Sequence, residues 1–81
     1  MARYFFHLRD GHDETLDPEG AEFGDMDAVR EAVLAGARDL IAGDAQQGVI
    51  DLRFRLEAEN EAGEVVHSLP FRQAVRIIAE A

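Results

Sequence analysis

The chain has 81 residues, 47% of them hydrophobic and 31% charged, which fits one folded domain with a single core and argues against intrinsic disorder. Seventeen acidic residues against eight basic ones, every basic one an arginine, give a formal net charge of −9, a balance that opposes binding to phosphate backbones and anionic membrane surfaces. Cysteine is absent, so disulfides, thiolate metal sites and cysteine nucleophiles are excluded.

No stretch approaches the ~20 apolar residues of a membrane span, and the apolar opening is too short for a secretory signal. A cytoplasmic, bacterial-type protein is the expectation.

Arg3 to Arg9 alternates as a strand does, with Tyr4, Phe6 and Leu8 toward a core and Arg3, Phe5, His7 and Arg9 on the far face. Asp10-Gly11-His12-Asp13-Glu14 reads as a turn pivoting on Gly11, followed by a short edge strand at Thr15-Leu16. Asp17-Pro18-Glu19-Gly20 is a second turn, and Ala21 to Gly24 leads into a helix with Phe23 anchoring the entry.

Met26 to Ala42 reads as an amphipathic helix with Met26, Val29, Val33, Ala37 and Leu40 in one stripe and Gly36 and Ile41 at its edges. Asp25 is its expected N-cap, Asp27 suits the positive end of the helix dipole, and Gly43 and Gly48 are candidate stops.

Asp51 to Glu59 alternates again, with Leu52, Phe54, Leu56 and Ala58 inward. Asn60-Glu61-Ala62-Gly63 fits a three-residue hairpin loop with Gly63 left-handed and Asn60 opposite Glu64. Carried along the hairpin, that register sets Leu56 against Ser68 and Ala58 against Val66 on the core side. It sets Glu57 against His67, Glu59 against Val65 and Arg55 against Leu69 on the other. Leu69-Pro70-Phe71 ends the strand, and Phe71 to Ala81 reads as a helix with Phe71, Ala74, Val75 and Ile78 on one side. The expected fold is α+β: a three- to four-stranded, mainly antiparallel sheet on one long helix, in β-(β)-α-β-β-α order, with a short C-terminal helix, all one domain over residues 1–81.

Arg3-Tyr4-Phe5-Phe6-His7-Leu8-Arg9-Asp10-Gly11 resembles the opening of a family of short uncharacterised bacterial proteins. The resemblance continues through Asp17-Pro18-Glu19-Gly20, the Asn60-Glu61-Ala62-Gly63 turn, and Leu69-Pro70-Phe71 with Ala74-Val75. The family is one of unknown function, so the resemblance implies a free-standing domain and lends no catalytic or binding residue.

Three candidate sites follow from the residues. Phe5, Val65 and Leu69, left on the face away from the long helix, would form a patch suited to a partner unless the C-terminal helix covers that face. Arg3, Arg9, Arg53 and Arg55, gathered on the same face near Phe5, resemble the basic and aromatic sheet faces of small RNA-binding domains, with Arg3, Arg53 and Arg55 the candidate contacts, although cross-strand ion pairs are the simpler reading. His7, Glu57 and His67 would cluster there as well, an arrangement suited to Zn²⁺ or acid–base work; solvent-facing strand histidines are the simpler alternative. The acidic run Asp10, His12, Asp13, Glu14, Asp17 and Glu19 lacks the ligand spacing of a calcium loop, and Ser68 lacks the setting of a nucleophile.

The expectation is a non-enzymatic interaction or assembly module, homodimeric or bound to another protein, without cofactor, membrane or small-molecule ligand. The alternative is a nucleic-acid-associated, antitoxin-like regulator using the sheet-face arginines.

Overall fold

The computed structural model describes residues 1–79. Its elements run β1 (Ala2–Arg9), β2 (Glu14–Thr15), β3 (Ala21–Phe23), α1 (Met26–Gln46), β4 (Arg55–Glu59), β5 (Val65–Pro70) and α2 (Phe71–Ala74). The fold is α+β, an open antiparallel sheet of five strands packed on one long helix. Strand order is β2-β1-β4-β5, with β3 pairing the first half of β1. The sheet therefore has one strand more than expected, because Ala21–Phe23 is a strand rather than a lead-in.

Strand β1 organises the sheet. The chain returns along it antiparallel, pairing Arg9 with Glu14 and Leu8 with Thr15, then Tyr4 with Ala21, Arg3 with Glu22 and Ala2 with Phe23. Between the two pairings, the five residues of the 16–20 loop span a gap of only three, Phe5 to His7. The surplus chain arches over the sheet face opposite α1, where Phe5 and His7 point.

Helix α1 is capped as its sequence requires. The Asp25 carboxylate accepts the Ala28 N–H at 2.8 Å, satisfying one of the free first-turn donors. The helix passes through Gly43 and stops at Gly48, whose φ is +90°. There the N–H groups of Gly48 and Val49 bond back to the carbonyls of Ala45 and Asp44, a closure that a glycine in the left-handed region permits. Its buried residues are Val29, Val33, Ala37 and Ile41. Ile41 is 6% exposed and Leu40 41%, which reverses the expected roles of this pair. Steps of four residues advance 400°, so a 29-33-37-41 ridge winds around the helix as it crosses the twisted sheet.

Leu56, Ala58, Phe71 and Ala74 complete the buried core, with Tyr4, Phe6, Leu8 and Leu69 packed against it. Strand β4 starts at Arg55 rather than Asp51, because the Asp51 carboxylate binds the Arg53 N–H at 3.0 Å and so draws it out of any ladder. Leu52 and Phe54 still face the core.

The hairpin forms as expected at its tip, with Gly63 at φ +81° and the Asn60 N–H donating to Glu64 O at 2.9 Å. Glu59 pairs with Val65, but Ala58 pairs with His67, Glu57 with Ser68 and Leu56 with Leu69. Val66 is the extra residue of a β-bulge, and every residue after it lies on the face opposite to the one expected.

Helix α2 ends at Ala74, where Val75 turns extended and Arg38 Nε donates to the Ala74 carbonyl at 2.8 Å. That carbonyl is one that a longer helix would have used internally. Ile77 and Ile78 are consequently exposed rather than packed; residues 80 and 81 of the expected helix lie outside the described residues. Helix α2 sits beside α1, with the Phe71 and Phe54 rings 6.2 Å apart, so the outer face is covered by the 16–20 loop and not by a helix.

Candidate functional site

The outer face of β1 and β4 gathers the titratable side chains. The pairings of Phe5 with Glu59, His7 with Glu57 and Arg9 with Arg55 set these residues in adjacent rows. Arg9 is the hub: its Nε donates to Glu14 at 2.9 Å, and its Nη1 to Glu57 at 3.0 Å and Glu59 at 2.6 Å. Arg55 Nε reaches the other oxygen of Glu57 at 3.0 Å. Hydrogen bonds donated to Glu14, Glu59 and Glu57 raise the Arg9 guanidinium above its ordinary pKa. Burial alone would push the Glu57 carboxyl up, but the bonds from Arg9 and Arg55 outweigh it and hold Glu57 below its usual value.

His7 is buried against this cluster. Its Nε2 lies 3.6 Å from Glu59 Oε1, its Nδ1 accepts the backbone N–H of Asp17 at 3.0 Å, and its ring stacks on Phe5 at 6.4 Å and 8°. The Asp17 carboxylate is anchored in turn. It accepts the Phe6 N–H at 3.2 Å, the Glu19 N–H at 3.2 Å and the Gly20 N–H at 3.1 Å. Burial works to raise the Asp17 carboxyl, yet these donors and the adjacent His7 hold it below the usual range.

An open polar cavity of about 260 Å³ lies at the β1–β2 turn, lined by Arg9, Gly11, His12, Asp13, Glu14 and Arg55. The Asp10 carboxylate braces that turn by accepting the N–H groups of His12 at 2.8 Å and Asp13 at 2.7 Å. Both cavity arginines already bind glutamates, so little positive charge is left for an anion.

The anticipated sites are only partly assembled. Phe5 and Val65 both flank Glu59 on the outer face, but Phe5 is half-buried under the loop and Leu69 packs into the core. His7 shares the outer face with Glu57 and is its cross-strand partner, the place expected for His67, whereas His67 stands opposite Ala58 on the helix side. Among the described residues, no group of three or more His, Asp or Glu side chains is arranged to hold a metal ion. Ser68 is exposed beside Glu57 and not in the core. Of the arginines, Arg3 donates to Glu19 O at 2.8 Å and lies 3.9 Å from Glu22, Arg53 pairs with Asp51 at 2.8 Å and Arg55 with Glu57.

Asp17 and Gly20 are the residues that sequence reasoning missed. Both stand in a recognised turn motif, but nothing local signals that the turn folds back onto β1.

No curated protein and no solved structure matches the chain. A family match spans residues 3–72, from the aromatic opening through the outer-face cluster to the start of α2. The chain therefore belongs to the family described as Domain of unknown function DUF6894.

Proposed function

We propose that this domain is a non-enzymatic assembly module that pairs with a second copy of itself along the free edge of β5. The observation that carries this reading is the chemistry of that edge. Strand β5 pairs only with β4 among the described strands, and its sequence, Val65-Val66-His67-Ser68-Leu69-Pro70, contains no Asp, Glu, Lys or Arg. Every other strand carries at least one. Val65 and Val66 are 49% and 37% exposed. Natural edge strands are commonly blunted by charge; in a chain of net charge −9, an uncharged edge is where two copies approach at least electrostatic cost. Antiparallel pairing about a two-fold axis would join the two sheets through main-chain hydrogen bonds.

A nucleic-acid role draws less support, since Arg3, Arg53 and Arg55 are each already paired with a carboxylate.

Sedimentation across the micromolar range tests the reading. The expected result is a monomer–dimer equilibrium that tightens with added salt, as repulsion between two acidic chains is screened. Val66→Lys should shift it to monomer with the fold intact. A monomer at every concentration and salt level, or a dimer indifferent to Val66→Lys, would overturn it.

A further inference from the structure

Among the described residues, His7 is the one buried polar side chain, at 9% exposure. Its hydrogen bonding fixes its proton. Because Nδ1 accepts the Asp17 N–H at 3.0 Å, Nδ1 carries no hydrogen, and the single ring proton of the neutral form sits on Nε2, facing Glu59. The usual arrangement has a histidine donating to backbone carbonyls; here it receives from a backbone amide of a loop that no helix or ladder holds down.

We propose that His7 is a protonation-sensitive clasp for the 16–20 loop: the neutral imidazole holds the loop through the Asp17 N–H, and a second proton, arriving at Nδ1, breaks that hold and frees the Asp17 amide. The bond cannot survive the change, since an Nδ1–H would point at the Asp17 N–H, donor against donor. The ring is then drawn toward the acceptors around it.

Those neighbours are Glu59 and Glu57 from β4, Asp17 from the loop, and Glu14 from β2 through its bond to Arg9; Arg9 on β1 and Arg55 on β4 oppose them. The carboxylates supply the charge that an imidazolium needs. The Asp17 carboxylate, held low by its own donors, stays ionised through the range in which an imidazole titrates and keeps its grip on Phe6, Glu19 and Gly20. The change is therefore a local opening at Asp17, with the stacked pair of Phe5 and His7 beneath it, and not unfolding of the sheet. The clasp is independent of any pairing at β5.

The experiment is an NMR titration of the full chain from mildly alkaline to mildly acidic pH, following the ring nitrogens of His7 and the exchange of backbone amides corrected for intrinsic rates. The expected result is the Nε2–H tautomer at high pH. Protection of the Asp17 amide should then fall about tenfold as His7 gains its second proton, while the amides of β4 keep theirs. His7→Phe preserves a ring for the stack and should leave the Asp17 amide poorly protected at every pH, whereas His12→Gln should behave as the parent. An Nδ1–H tautomer at high pH, or constant Asp17 protection while His7 titrates, would overturn the proposal. The parent titration decides the matter even if His7→Phe fails to fold.

Discussion

Gly20 is pressed against Phe5: a Cβ built on it would stand 2.8 Å from the ring Cδ2 and 2.6 Å from the Tyr4 carbonyl oxygen, at a φ of +68°. Backbone on one side and an aromatic ring on the other leave no room to yield. Gly20→Ala should therefore cost about 2–4 kcal/mol, combining left-handed strain with overpacking. Gly11 provides the contrast. Its φ is +95° but nothing lies within 4 Å of a Cβ, so Gly11→Ala should cost only about 1 kcal/mol, the backbone penalty alone. Urea denaturation of both variants checks the difference.

Arg9 keeps three glutamates together. Without it Glu57 and Glu59, both largely shielded from solvent, would retain their negative charges beside each other and His7. Arg9→Gln should destabilise by about 2–4 kcal/mol, most of it the cost of leaving part-buried Glu59 without its guanidinium and Glu57 with Arg55 alone. Arg9→Lys should recover less than half of that loss, because one ammonium cannot reproduce the Nε and Nη1 contacts that point in different directions. Thermal and urea unfolding at neutral pH measure both.

The helix shows how far sequence periodicity reaches. Its N-cap, its Gly48 stop and the burial of Val29, Val33 and Ala37 follow from spacing and capping chemistry. An ideal straight stripe, however, selects Leu40, while the observed ridge selects Ile41, because the direction of a helix across a twisted sheet is a property of the partner surface and not of the helix. Ile41→Ala should cost about 2–4 kcal/mol and Leu40→Ala under about 1 kcal/mol. Equal losses would mean that the stripe is straight after all. The outer-face cluster was less legible for a similar reason. Arg9, His7 and Glu57 fall on one face by simple alternation, but Asp17 reaches them only through a loop whose two surplus residues have no local signature.

The acid limb of stability should report on that loop and on Arg9. Asp17 and Glu57 have folded-state pKa values below their ordinary values of 3.8 and 4.5. The unfolded chain therefore takes up protons first as the pH falls, and the stability these groups contribute is complete above their unfolded values and is lost as pH descends through the folded ones. Asp17→Asn should lower stability at neutral pH and make its decline between about pH 5 and 3 shallower. Chemical denaturation at several pH values measures the slope. An unchanged slope would assign the acid sensitivity elsewhere.

The bulge at Val66 admits a sharp test. Glu59 pairs with Val65 and Ala58 with His67, so Val66 is bypassed by the ladder. Deleting it would leave a regular antiparallel pair in which Val65 still faces outward and His67, Ser68 and Leu69 keep their present partners. Deletion of Val66 should therefore change stability by less than about 1 kcal/mol, in the range of a tolerated surface change. Had the hairpin continued in the register set by Asn60 and Glu64, Val66 would itself oppose Ala58, and the same deletion would flip every later residue, turning Ser68 away from Leu56 and bringing Leu69 inward in its place. Urea unfolding of the parent and the deletion variant, with the Leu56–Leu69 cross-strand contact followed by NMR in both, separates these outcomes: the contact is expected in both proteins, and its appearance only on deletion would overturn the bulge.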